Sequence, residues 1–135
     1  MVEVVNRQRR RKISTEPWRL LALRMLAAIG SPDANATVAF VSDARIRELN
    51  GRFRGIDKAT DVLSFPESDK DEGLGEIAIS VDRAAIQAEE NTMTFDEEVA
   101  QLLLHGLLHL SGYDHETDNG EMNRLELRLR KKLGI

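Results

Sequence analysis

All three histidines of this 135-residue chain fall within eleven residues, in the run His105-Gly106-Leu107-Leu108-His109-Leu110-Ser111-Gly112-Tyr113-Asp114-His115. The run constrains the local fold tightly. His105 and His109 are four apart, so on a helix their rings project from one face, one turn above the other. Gly112 follows where a helix commonly ends in a left-handed conformation. Such a turn lets the chain double back and bring His115 to the same point. Three neutral imidazoles around one point, with a fourth position open, have the layout of a catalytic zinc site. One Zn2+ ion held by His105, His109 and His115 is the expectation, with nickel, cobalt and copper as alternatives. The chain has no cysteine, which removes any thiolate site and any disulfide framework.

The spacing H-x-x-x-H-x-x-G-x-x-H is also that of the metzincin proteases. Those enzymes place Glu directly after the first His, as general base for the attacking water. Gly106 stands there in this chain. The pattern argues for a metal site and against ordinary proteolysis together. Leu102, Leu103, Leu107, Leu108 and Leu110 read as core. Gln101, one turn before His105, reads as a pocket-lining residue. Glu98, two turns before His105, reads as a solvated helix-start carboxylate, with a proton acceptor as the alternative. Asp114 either orients a metal ligand or forms the turn.

The length suits one domain, residues 1–135, with a single substantial core. Apolar content of 41% and charged content of 31% fit a globular protein. No apolar run approaches the about 20 residues that span a bilayer. Met1 to Arg7 lacks the basic-then-apolar order of a signal peptide. The expectation is a cytoplasmic protein without a membrane association. A net charge of −4 disfavours broad, non-specific binding to nucleic acid. Basic residues nevertheless cluster, at Arg7–Lys12, at Arg45–Arg54 and at Arg124–Lys132, and each run alone reads as a solvated face.

Val2 to Val5 reads as a strand. Ser14-Thr15-Glu16-Pro17 supplies helix-start chemistry. The helix that follows carries Trp18, Leu21, Leu23, Met25, Leu26 and Ile29, and Gly30-Ser31-Pro32 stops it. Thr37 to Val41 reads as a buried strand, and Ser42-Asp43 as the start of a short helix with Ile46 and Leu49. Gly51 to Thr60 reads as a loop. Asp61 to Phe65 reads as a strand closed by Pro66, Glu67 to Gly73 as an acidic turn, and Gly75 to Val81 as a strand. Asp82 to Glu90 reads as a helix. Thr94 and Glu97 form a capping-box pattern, opening the helix that bears His105 and His109. A last helix begins near Asp118–Glu121, with Met122, Leu125, Leu129 and Leu133 on one face. These elements predict an α/β (α+β) fold. Four short strands and about five helices, one of them a metzincin-like histidine helix, make a single compact domain.

A second constellation runs from Leu49 to Pro66 and places Arg52 and Arg54 ahead of a buried strand. Arginine suits phosphate because its planar fork gives paired charge-assisted hydrogen bonds. Beside a metal site the segment becomes a candidate phosphate clamp.

At this point the residues resemble a known family. The run His105 to His115 looks like the H-G-x-L-H-L-x-G-Y-D-H signature of the YbeY-type endoribonucleases. Leu49 to Pro66 is similar to their Leu-Asn segment, which carries an aromatic-Arg pair and ends in Pro-Thr-Asp-Val-Leu-Ser-Phe-Pro. Gly75-Glu76-Ile77-Ala78-Ile79 resembles their strand beginning Gly-acidic-Ile. Asp114-His115-Glu116 with Glu121-Met122 and Glu126 also matches, so the resemblance covers most of residues 45–130. Two positions depart from it. Ala59 stands where the family commonly has Pro, and Gln101 stands where many relatives have His.

The resemblance implies that the small four-stranded sheet is mixed, and it implies a single-strand-specific, metal-dependent endoribonuclease. It implies work on ribosomal RNA, in maturation of the 16S rRNA 3′ end and in ribosome quality control. It puts the zinc ligands on His105, His109 and His115 and the functional arginine on Arg54; Arg52 remains a substrate-binding candidate from the phosphate-clamp reading alone. The partners expected are single-stranded RNA, ribosomal RNA and the small ribosomal subunit, with ribosomal or GTPase proteins as further candidates. RNA carries its own 2′-hydroxyl nucleophile, so the missing protease Glu is tolerable; a zinc-activated water is the other candidate. Two other functions remain open at this stage: a zinc hydrolase of a peptide or small amide, and a non-enzymatic ribosome-binding protein with structural zinc.

Overall fold

The computed structural model describes residues 1–114 and 116–135, and every side chain among them except that of Lys70. Strand β1 (Val2–Asn6) leads through helix α1 (Thr15–Ile29) to strand β2 (Ala36–Val41). Helix α2 (Asp43–Arg54) precedes strand β3 (Val62–Pro66). A 3-10 turn (Lys70–Glu72) joins β3 to strand β4 (Gly75–Ser80). Helices α3 (Val81–Glu90), α4 (Phe95–Leu110) and α5 (Glu121–Leu133) complete the chain.

The sheet runs β1-β2-β4-β3, with β1, β2 and β4 parallel and β3 antiparallel to β4. This is the expected mixed four-stranded sheet with five helices. Alternation along the strands gives each face its own residues. Val38, Phe40, Ile77 and Ile79 join the main core under α1, α4 and α5. Ala39, Val41, Leu63 and Ala78 face the other way and pack with Ile46 of α2. One face is therefore layered with helices, and the other carries α2 alone.

Two local readings need correction. Gly51 does not open a loop; α2 runs on to Arg54 and ends at Gly55 in a left-handed conformation (φ +70°). A mid-helix glycine costs about 1 kcal/mol. Two contacts offset it here: Phe53 meets Phe65 edge-on at 5.3 Å, and Arg52 and Arg54 lie in the last turn, where cations complement the helix dipole. Arg54 is thus a helix-end residue and not a loop residue. Strand β3 was expected to be buried, but it is an edge strand, pairing with β4 alone. Of its residues only Leu63 is fully buried.

Helix α4 is the central element. Its capping box is complete: the Glu97 N–H donates to Thr94 Oγ1 (3.1 Å) and the Thr94 N–H donates to Glu97 Oε1 (2.9 Å). At the other end the Tyr113 N–H reaches the Leu108 carbonyl and the Gly112 N–H reaches the His109 carbonyl, with Gly112 at φ +101°. This is the left-handed closure expected of Gly112. From Glu98 to Leu110 every residue is buried except Gln101, His105 and His109. Those three are successive i, i+4 positions, so one polar line runs along a helix otherwise enclosed by protein.

Gly106 lets this helix lie against the sheet. A β-carbon there would come within 3.0 Å of Ile77 Cδ1 and 3.1 Å of Ile77 Cγ2. Its carbonyl accepts a 3.4 Å hydrogen bond from Ser64 Oγ of β3. Alanine at this position would gain about 1 kcal/mol of helix propensity, against about 1–3 kcal/mol for overpacking a stiff, buried isoleucine. Gly106→Ala is expected to lower unfolding free energy by about 1 kcal/mol net in urea titration, with Ile77→Val in the same chain restoring most of it.

Candidate metal centre and active-site cleft

The polar line of α4 opens into a cleft of about 660 Å3. The wall opposite α4 is the β3 edge, Val62 to Ser64 and Pro66, with Arg54 at its rim; Glu126 and Arg130 come from α5. Among the described residues, then, the structure brings His105, His109 and Arg54 to one cavity. His115 lies outside the described residues. Arg52 lines a neighbouring groove and not this cleft.

His105 Nε2 and His109 Nε2 are 3.1 Å apart, and the two rings meet edge-on with centroids at 4.7 Å. Two nitrogens each 2.0–2.1 Å from one tetrahedral ion would be separated by roughly 3.3 Å. The pair therefore has the span that a shared zinc ion requires. The ring of His105 is held from behind. Its Nδ1 lies 3.0 Å from Glu126 Oε1. An ionised carboxylate only accepts, so Nδ1 carries the proton and, in the neutral ring, Nε2 carries the lone pair. This carboxylate–histidine arrangement is the one that orients metal-ligating imidazoles. Among the described residues no cluster of three or more metal-binding side chains is present, and the fit rests on this pair and its carboxylate support.

Glu126 is 7% exposed. Burial pushes its carboxyl up, but the His105 hydrogen bond, the charge of Arg130 and the charges that His105 and His109 carry when protonated outweigh that and hold it below its ordinary value. Arg130 Nη2 stands 3.7 Å from Glu126 Oε2. Neither residue was singled out for the site from sequence, beyond Glu126 matching a family position. A signal existed: Glu126 lies between Met122 and Leu129 in the apolar stripe of α5, where a charged residue needs a partner. Arg130 had been counted with a solvated basic run; it is half-buried on the cleft wall.

Glu98 corrects another expectation. It is not a solvated helix-start carboxylate but 6% exposed on the cleft wall. With its amide turned to satisfy both neighbours, Gln87 donates to Glu98 Oε1 (2.9 Å) and Asp61 Oδ2 (3.2 Å). Burial, and next the charge of Asp61, raise the Glu98 carboxyl above its ordinary value, with Arg130 opposing. Gln101 does line the cleft, as expected.

Comparison with known proteins agrees with this architecture. The family model described as Endoribonuclease YbeY matches residues 3–134. An Endoribonuclease YbeY of Nautilia profundicola is 52% identical over 104 residues, covering 76% of this chain and 75% of that protein. One from Geobacter metallireducens is 39% identical over 141 residues, covering 99% and 94%. The solution structure of TM1509 from Thermotoga maritima superposes with a TM-score of 0.70 at 30% identity, over 98% of this chain and 89% of that one. The chain belongs to the YbeY endoribonuclease family.

A raised carboxyl favours the folded state most when protonated, so that contribution is full at acid pH and is lost as pH rises through the raised value. Glu98→Gln is therefore expected to melt above the wild-type protein at pH 8, with the gap closing toward pH 4 in calorimetry. A gap that does not change with pH would show that Glu98 ionises as an ordinary surface carboxylate.

Proposed function

We propose that this endoribonuclease-family chain cuts single-stranded RNA with the help of one zinc ion held by His105, His109 and His115. The endoribonuclease role, hydrolysis of phosphodiester bonds within RNA, follows from family membership. The observation that carries the zinc reading is the 3.1 Å separation of His105 Nε2 and His109 Nε2 in an accessible cleft rimmed by Arg54. When bound, the ion supplies a Lewis acid for a phosphoryl oxygen and lowers the pKa of its water to about 7.

The chain's own residues do the rest. His105 and His109 present nitrogen lone pairs into the cleft, and Glu126 fixes the tautomer and rotation of His105. Arg54 makes no ion pair among the described residues. Its guanidinium is available to grip a phosphate and to offset charge that develops on the phosphoryl oxygens. The β3 edge confines the substrate on the side opposite α4. Gly106 offers no carboxylate, and a β-carbon there would run into the Ile77 side chain, which favours RNA over a peptide substrate. The motif resemblance supports the finer reading: 16S rRNA 3′-end maturation and ribosome quality control in the cytoplasm, on the small subunit, with ribosomal or GTPase proteins as partners. Among the described residues no helix is long and apolar enough to cross a membrane.

Metal analysis followed by incubation with single-stranded and duplex RNA, with and without chelator, tests the proposal. Cleavage is expected on single strands only and is expected to need the metal. His105→Ala should lose both zinc and cleavage. Arg54→Ala should retain zinc while kcat falls about 10²–10³-fold, the usual cost of removing one transition-state charge partner. Full cleavage by metal-free His105→Ala protein overturns the assignment. A 2′,3′-cyclic phosphate on the product, or the 3′ phosphate left when one opens, identifies the 2′-hydroxyl as nucleophile, and a 5′ phosphate with an intact 3′-hydroxyl identifies water.

Glu126→Gln is expected to weaken zinc binding about 10–100-fold in competition with a chromophoric chelator. Unchanged affinity would mean that Glu126 does not orient the ligand.

A further inference from the structure

On the opposite face of the sheet from α4 lies a second cavity, a groove of about 920 Å3. Thr37, Ala39 and Ala78 of the sheet line its floor beside α2, with Ala39 and Ala78 buried there. Phe53 and Phe65 stand on one wall, edge to face, and Phe53 is 59% exposed. Arg7, Arg45, Arg52 and Arg54 surround it, and Glu76 is the one acidic side chain among the lining residues. Arg7, Arg52 and Arg54 have no ion-pair partner among the described residues. Arg45 pairs only with exposed Glu48 of its own helix.

The groove and the metal cleft adjoin at the β3 edge. Arg54, Ser64 and Pro66 line both. A chain gripped at Arg54 thus has two ways on: into the cleft beside His105, or across the β3 edge onto the open sheet face. Resting on the RNA-cutting reading above, we propose that the groove is a second binding track for single-stranded RNA, which holds the nucleotides beyond the bond being cut. Three features favour this occupant. Unpaired guanidinium groups in an acidic protein (net charge −4) mark a place for a polyanion. Exposed Phe53, with half-buried Phe65 behind it and the Arg52 guanidinium 5.5 Å from its ring centre, offers a stacking surface to an unpaired base. The small side chains of Thr37, Ala39 and Ala78 on the floor leave room in the groove for a flat ring. A duplex presents no free base faces to such a surface, so the groove adds a physical reason for single-strand preference.

The test is equilibrium binding of 2′-O-methyl oligouridylates, which keep phosphates and bases while blocking internal attack. Fluorescence anisotropy on the zinc-loaded protein compares a trinucleotide with an oligomer of about twelve nucleotides, within the site sizes of single-strand binders. Wild-type protein is expected to favour the longer RNA. In Arg7→Glu/Phe53→Ala that advantage should shrink about tenfold or more, from loss of one stacked base and one phosphate contact. The salt slope for the long oligomer should also fall by roughly 0.7 for each lost phosphate contact. Phe53→Leu alone, which keeps apolar area without a π-face, should give part of the loss and guards against a folding artefact. An equal length advantage in wild type and variants overturns the proposal. So does loss confined to binding of a purified ribosomal protein, which would assign the groove to a protein partner. Binding is read with the oligomer recovered intact, so the track can fail while the nuclease reading stands, and the reverse.

Discussion

The burial of helix α4 is the constraint on which the rest of this structure depends. A helix apolar on almost every side must be enclosed, and α1, α3, α5 and two strands enclose this one. Burying each leucine side chain contributes about 1.5–3 kcal/mol, so the helix has little freedom to rotate about its axis. That rigidity is transmitted to the one line of residues left facing a cavity, Gln101, His105 and His109. The approach of the helix to β4 depends in turn on Gly106, whose missing side chain is filled by Ile77.

The site borrows its chemistry from elements distant in sequence. α4 supplies the imidazoles, α5 supplies Glu126 and Arg130, and the end of α2 supplies Arg54. A buried carboxylate such as Glu126 is a poor stabiliser, because its desolvation cost is large even when paired. Its place in the apolar stripe of α5 makes sense as positioning: the docking of α5 on α4 that buries Met122 and Leu129 also carries the carboxylate to His105 Nδ1. Glu98 of α4 and Asp61 beside β3 form an acidic pair that lines the same cleft and is bridged by Gln87, so the cleft holds carboxylates in two electrostatically different settings. One is held ionised by cations and the other is pushed toward its protonated form.

The sheet is asymmetric, and that asymmetry sorts the surface. The helix-covered face forms the main core, while the α2 face packs a smaller cluster around Ile46 and leaves the rest of the sheet open. The β3 edge stands between the cleft and the open face. An exposed edge strand invites pairing with another chain. Here Pro66 ends the strand without an N–H to donate, and Ser64 turns its hydroxyl inward to Gly106.

Much of this was legible in the amino acids themselves. Thr94 and Glu97 marked the start of α4, Gly112 its left-handed end, and the four-residue interval between His105 and His109 their common face; each is a local rule of backbone geometry that needs no partner. The pattern of four strands and about five helices followed from periodicity for the same reason, while the mixed character of the sheet came only with the family resemblance. Tertiary packing decided the rest. Whether β3 is central or an edge, whether Gly51 breaks α2, whether Glu98 meets water, and whether Glu126 and Arg130 belong to a solvated run or to the cleft all depend on which surfaces meet across long stretches of chain. Arg52 and Arg54 show the difference most simply. Two residues apart on a helix, they diverge by about 200° around its axis at 3.6 residues per turn, so one reaches only the groove and the other reaches the cleft as well. Where the sheet edge lies between those two directions is a property of the folded molecule alone.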